Sequence, residues 1–283
     1  MMNHKKIIIF IVSHFLCNFV VGDVYKYHLS DTWYPSKGKS LARQLNSFED
    51  DTSYDLLPEN LKKNIKAIVV PHAGYNYSGA VASSIFQNIL KDSFNRVVII
   101  APSHNVVFNG VGLPGVEYGA YKSPLGKIHL DYKIIEKLQK KSSLFLRNHH
   151  GHELEHAIEV QIPFIQKYCR RCKIVPLLVG AVNDEQADNI AETLLQLCDK
   201  KTLFVISCDL TRYQSSLCDS DTTAKIGQGD LQAFQTLFNE AVDSAVEKKS
   251  LVILWSMLQK NYFGDVRGFV FGCSSPYIGM VIV

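Results

Sequence analysis

Short apolar runs alternate with amphipathic stretches along the chain, and that alternation predicts the architecture. Ala67–Val70, Arg96–Ala101, Lys173–Val179 and Thr202–Ser207 are rich in Val, Ile and Leu. Runs of this length and composition, ended by Pro, Gly or a polar residue, read as strands buried on both faces. Helical spacing follows the first run at Val81, Ile85, Ile89 and Leu90. It recurs within Asp184–Cys198 as a stripe of Ala187, Ile190, Ala191, Leu194, Leu195 and Leu197. Further helices are expected over Lys39–Leu45, Tyr132–Leu138, Asp230–Val242 and Ser250–Lys260, and two more strands over Val266–Phe271 and Tyr277–Val283. Gly- and Pro-rich Asn109–Gly119, polar Ser47–Asn60, whose Pro58-Glu-Asn suits the start of a short helix, and the histidine-rich stretch His149–His152 read as loops. Strands alternating with helices, without an internal repeat, predict a single-domain α/β three-layer sandwich, a mostly parallel sheet with helices on both faces.

The N-terminus departs from this pattern. Met1–Lys6 is basic, Ile7–Val21 is almost wholly apolar, and Gly22-Asp23 returns to polar sequence. This three-part order is that of a secretory signal peptide, expected over residues 1–22, with the folded domain over 23–283. The run is too short, and too interrupted by His14 and Asn18, for a membrane span. The expected location is therefore the secretory pathway or the extracellular space, with membrane contact only through this segment if it is retained.

Composition changes little else. Apolar residues make up 47% and charged residues 20% of 283 positions, ordinary for a chain with a sizeable core. A net charge of +3, scattered over Lys pairs that suit solvated helix ends, argues against a nucleic-acid partner. Six of the seven cysteines lie beyond the signal: Cys169, Cys172, Cys198, Cys208, Cys218 and Cys273. An even number permits disulfides in a secreted chain but does not choose among their pairings. Cys169-Arg-Arg-Cys172 has CxxC spacing without the second pair a zinc site needs, and it ends a helix instead of opening one. It reads as a bland surface pair, open to bridging with other cysteines.

The candidate chemistry lies where strands end. Ala67–Val70 is followed by Pro71-His72, Arg96–Ala101 by Pro102-Ser103-His104, and Thr202–Ser207 by Cys208-Asp209. Proline stops the strand, and in open α/β sheets ligands bind beyond the carboxyl ends of the strands. Two histidines and a carboxylate are the ligand set of the facial triad that holds non-haem iron with open positions. His72, His104 and Asp209 are thus the expected metal ligands; capped, hydrogen-bonded histidines without metal are the plain alternative. His156 and Glu159, three apart on a helical face, read as groups behind the ligands. Trp33 reads as a pocket wall or an anchored core aromatic. No Gly-rich phosphate loop or GxSxG competes. One glycosylation sequon, Asn76-Tyr77-Ser78, falls in the expected crevice and reads as unused.

These residues carry a resemblance. Thr32-Trp33-Tyr34-Pro35, Pro71-His72-Ala73-Gly74-Tyr75, Pro102-Ser103-His104, Glu155-His156-Ala-Ile-Glu159-Val-Gln161-Ile-Pro163, Pro176-Leu-Leu-Val179-Gly180 and Ser207-Cys208-Asp209-Leu210 occur in this order. The chain resembles the Memo family, also called AmmeMemoRadiSam system protein B, from about Asp31 to its end. The resemblance implies a fold like the class III extradiol dioxygenases, with a metal- or ligand-binding pocket at the strand exits. Animal members are linked to cell-motility signalling, phosphopeptide binding and redox-active iron or copper. The motifs imply no particular reaction, so whether the chain is an enzyme stays open.

Two departures bear on the pocket. Where the family has a histidine three residues after its Asp, this chain has Arg212. The family's cysteine before the last long helix is missing from Ala241–Lys249, where Asp243, Ser244 or Ala245 takes its place. A guanidinium repels cations and suits carboxylate or phosphate, and Asp209 is its nearest partner in sequence. The leading expectation is a binding or signalling protein, redox-associated, with a degenerate site. That site holds iron or copper weakly and takes an unidentified peptide or small anionic ligand. The rival is a working iron- or copper-dependent oxidoreductase using His72, His104 and Asp209. A purely structural protein is the third reading.

Overall fold

The computed structural model describes residues 22–50, 56–89, 91–196, 199–211, 220–240, 242, 244–260, 263, 266–272 and 276–283. Apart from Gly22, the expected signal segment lies outside the described residues, as do Cys198, Arg212, Cys218, Asp243 and Cys273.

The chain begins with β1 (Asp23–Tyr25), α1 (Gly38–Glu49), α2 (Glu59–Lys62), β2 (Ala67–Val70), α3 (Tyr75–Phe86) and β3 (Arg96–Pro102). Then come β4 (Val111–Leu113), β5 (Tyr118–Ser123), β6 (Gly126–His129), α4 (Tyr132–Lys141) and β7 (Phe145–Arg147). Three short helices follow, α5 (His149–Leu154), α6 (His156–Glu159) and α7 (Ile162–Tyr168), before β8 (Lys173–Val179) and α8 (Asp184–Leu195). The rest is β9 (Thr202–Ser207), β10 (Leu210–Thr211), α9 (Ser220–Gly227), α10 (Leu231–Glu240), α11 (Ala245–Gln259), β11 (Gly268–Phe271) and β12 (Tyr277–Ile282).

The main sheet runs β10-β12-β2-β9-β3-β8-β4-β7, with β11 paired to β12. Its centre, β2-β9-β3-β8, is wholly parallel. These are the four apolar runs of the sequence; β2 and β9 are buried at every position, and β3 and β8 at all but their first residue. Strands covered on both faces need no polar alternation. The flanks differ: β12 joins β2, and β4 joins β8, antiparallel. The sheet is therefore mixed: the centre is parallel, β12 and β4 run antiparallel to it, and β7 pairs parallel with β4 at the edge.

Helices cover both faces. Gly279 of β12 has no room for a side chain, since a Cβ there would lie 1.9 Å from Ile85 of α3. Gly268 of β11 would instead meet Ile226 of α9 and Phe234 of α10, at 2.5 and 2.7 Å. Gly268 pairs with Ile282, and positions 279 and 282 point to opposite sides of one strand, so α3 and the α9–α10 pair lie on opposite faces. One continuous hydrophobic core joins the layers.

Three expected features come out differently. Asn109–Gly119 contains β4 and the start of β5. Val111 and Leu113 are buried around Gly112, so a short inner strand is hidden in a turn-like composition. The three-residue β1 pairs with β5, which pairs with β6 in a separate three-stranded sheet that no apolar run announced. His149–His152 is helical, with the Asn148 side chain capping α5 by accepting from the Gly151 amide. Cys169 and Cys172 follow α7 as expected, yet they are buried. Their thiols point to the Phe94 and Cys169 carbonyls, so the pair is not on the surface. Among the described residues no helix is long and apolar enough to cross a membrane.

Candidate functional site: a histidine cluster at the carboxyl edge of the sheet

Register brings the strand exits together. Val70 of β2 pairs with Ser207 of β9, and Ile100 of β3 pairs with Ile206. His72 and Asp209 each follow their strand by two residues; His104 does the same after β3. All three thus reach one edge. The His72 and His104 ring centroids lie 5.2 Å apart, edge to face.

A third imidazole joins them. Helix α6 packs on β3 and sets the His156 ring 4.3 Å from His104 and 5.3 Å from His72. One ligand nitrogen from each of His72, His104 and His156 lies within 4.8 Å of the others. The sequence reading placed His156 behind the ligands; the fold sets it beside them, because α6 begins at His156 itself. Trp33 packs on the outer side of His156 at 4.8 Å.

Hydrogen bonds fix how two of the rings present themselves. The Ser207 hydroxyl donates to the Ala157 carbonyl and accepts from the Gln161 amide, so the His72 Nδ1 at 3.0 Å must donate to it. His104 Nδ1 donates to the Glu155 carboxylate at 2.9 Å. Both rings therefore turn Nε2 toward the shared space, the arrangement in which a partner behind the ring orients a metal-binding nitrogen. Glu155 is fully engaged there, accepting also from the His104 and Ala157 amides.

The other carboxylates divide the remaining tasks. Asp209 Oδ1 accepts from the His72 backbone amide at 2.6 Å, which holds the strand exit, and the close group of ligand atoms is formed by the three histidines. Glu159 does not stand behind His156. It binds the His28 and Leu29 amides, the Tyr34 hydroxyl and His28 Nδ1, and so fastens the segment that carries Trp33. Arg212 lies outside the described residues.

The residue given no role by sequence reading is Glu247. Its Oε1 lies 2.9 Å from His104 Nε2 and 3.2 Å from His72 Nε2, and its Oε2 accepts from the Asp209 amide at 3.0 Å. Helix α11 starts at Ala245, five residues before the expected Ser250, and Ser244 caps it by accepting from the Glu247 amide. Ser244-Ala-Val-Glu247 is a Ser-x-x-Glu capping signature that could have revealed the true start. The carboxylate turns to the histidines, so Glu247 supplies an acidic side chain to the pocket.

Charge follows geometry. Burial lowers the basicity of His104, but the carboxylates of Glu155 and Glu247 outweigh it and raise the pKa to about 9. His72 is likewise raised against its burial, by Asp209 and Glu247. His156 is lowered to about 4, first by burial and then by the positive charge of His72. Glu247 is held well below the usual carboxylate range, its burial overcome by His104 and His72. The cluster is a buried ion pair flanked by one neutral imidazole.

A sequence profile described as Memo-like protein matches residues 27–254. This chain belongs to the Memo family. It is 32% identical over 185 residues to a memo-1 homolog of Caenorhabditis elegans, covering 64% of this chain and 51% of that protein. MEMO1 of Xenopus laevis is 30% identical over 187 residues, covering 64% and 60%. The MEMO1 family protein PH1626 of Pyrococcus horikoshii is 33% identical over 193 residues, covering 65% and 63%. The matched part of the chain thus spans between half and just under two thirds of these relatives. A crystal structure of an uncharacterized protein, JW3007 from Escherichia coli K12, aligns over 77% of this chain and 99% of its own. Its TM-score is 0.41 and its identity 13%, too loose to carry an argument.

Proposed function

We propose that this Memo-family chain binds one transition-metal ion, iron or copper, at the carboxyl edge of its sheet through His72, His104 and His156. The observation that carries the reading is the convergence of three ligand nitrogens within 4.8 Å. Two of those rings have their far nitrogen already spent on Ser207 or Glu155. Imidazole donors suit iron, copper, zinc and nickel, and such backing partners are what orients them. An ion bound there would supply one-electron chemistry. The residues around it supply orientation, through Ser207 and Glu155, and partial cover, through Trp33.

The test is metal analysis of the purified full chain after loading with iron(II) or copper and removal of excess. One equivalent in the natural protein, lost in His72→Asn and His104→Asn, is the expected result. No retained metal in the natural protein would overturn it. An iron-dependent oxidoreductase is a second reading, favoured by a carboxylate standing next to two imidazoles. It requires iron-dependent oxygen consumption by the loaded protein.

A further inference from the structure

We infer that Glu247 is a ligand of this centre and that it sets the centre for iron(II) over copper(I). The inference rests on the metal reading above. Donors about 2.1 Å from one ion, at right or tetrahedral angles, stand roughly 3.0–3.4 Å from each other. Glu247 Oε1 stands 2.9 Å from one Nε2 and 3.2 Å from the other. The carboxylate oxygen is therefore already spaced from each of the two imidazoles as one ligand from its neighbour.

The oxygen is held in that position. Oε2 of Glu247 is tied to the Asp209 amide. Lys249 Nζ donates to the Ser103 carbonyl at 2.9 Å, and the Ser250 hydroxyl donates to the Ser207 carbonyl at 3.1 Å. The first turn of α11 is thereby fastened to the exits of both β3 and β9. The neighbouring carboxylates have other partners: Asp209 the His72 amide, Glu155 the back of His104, Glu159 the N-terminal segment. Only Glu247 turns an oxygen to the two Nε2 atoms, among the described residues.

Donor type then decides preference. Copper(I) favours soft sulfur donors, whereas imidazole joined to an anionic oxygen suits iron(II). The competing explanation is that Glu247 merely accepts from the two histidines as their counter-ion and is displaced when an ion enters. The two differ in sign. A ligand, once removed, weakens metal binding; a displaced counter-ion, once removed, strengthens it.

The experiment titrates the full chain and Glu247→Gln with iron(II) without oxygen, and with copper(I) against a chromophoric chelator. Glu247→Gln is expected to bind iron(II) at least about tenfold more weakly, the least effect seen even for groups behind a ligand. Copper(I) affinity should change by under about threefold, so the preference ratio collapses. A metal-dependent infrared shift of a glutamate carboxylate, seen with labelled glutamate, should be present in the natural protein. Iron(II) binding by Glu247→Gln as tight as, or tighter than, the natural protein's would overturn the inference and leave the proposed function standing. No iron or copper bound by the natural protein would instead remove the proposed function, and this inference with it. Should Glu247→Gln not fold, the natural protein alone decides: an iron-loaded chain without a carboxylate shift contradicts ligation.

Discussion

His152 and His156 are four residues apart and occupy opposite kinds of site. His152 is buried beneath the small sheet. There its Nδ1 accepts from the Tyr121 hydroxyl at 2.7 Å and its Nε2 donates to the Gly112 carbonyl at 2.9 Å. Both nitrogens have neutral partners, and burial lowers the pKa to about 4. Tyr25 stacks on Tyr118 and Tyr121 beside it, which completes an aromatic cluster with nothing left to bind. His156 is equally hard to protonate but stands against two other histidines, partly buried under Trp33. The lowered pKa does not separate the two. What separates them is whether the ring's nitrogens meet fixed neutral partners or other ligand-type groups. A buried histidine is a structural element in the first case and a candidate ligand in the second.

The contrast can be broken most forcefully at His152. His152→Ala should cost about 4 kcal/mol, because it leaves a cavity and strips the Tyr121 hydroxyl and Gly112 carbonyl of their partner. Metal bound per folded molecule should stay unchanged; denaturant unfolding together with metal analysis reads both. Glu159→Gln should cost about 2 kcal/mol by giving up the ion pair with His28 and turning an amide toward donors. It should also loosen Trp33 from His156, seen as a red shift of tryptophan emission.

Acid and base sharpen the comparison. His152 and His156 have folded pKa values near 4 against about 6.5 unfolded. Between these values the unfolded chain holds more protons, so stability should rise with pH from 4 to 6.5. His104, raised to about 9, runs the other way: its contribution is complete below 6.5 and is lost as pH rises toward 9. The metal-free protein should therefore melt highest near pH 6.5. His104→Asn should flatten the alkaline limb and His152→Phe the acid limb, measured by thermal unfolding across the range. The smallest effect belongs to His150, whose side chain is 65% exposed. His150→Ala should change stability by less than about 0.5 kcal/mol and leave metal binding untouched.

How much was legible follows the range of the interactions. The four central strands and the strand-to-histidine exits at His72 and His104 were readable because burial on both faces leaves a local mark, a run of mostly apolar residues, closed by proline before the two histidines. Parallel register then brings such exits to one edge wherever they lie in the chain, so the site could be located before its parts were known. Helix α11 was placed, but its first turn was missed. Ser244 and Glu247 are polar, and the apolar pattern begins only with Leu251.

The sequence by itself determined the α/β class, the parallel centre, the edge that carries the site and the family. Each depends on periodicity or on short motifs, which are properties of neighbouring residues. Only the tertiary structure decided that β12 lies antiparallel beside β2, that β4 and β5 emerge from a turn-rich stretch, and that Asp209 is spent on a backbone amide. It also decided that His156 and Glu247 are what His72 and His104 face. Glu247 meets His72 across 175 positions of chain and His104 across 143. No local pattern encodes such a meeting, because it is fixed by where α11 docks on the strand exits and by which way one carboxylate turns once it is there.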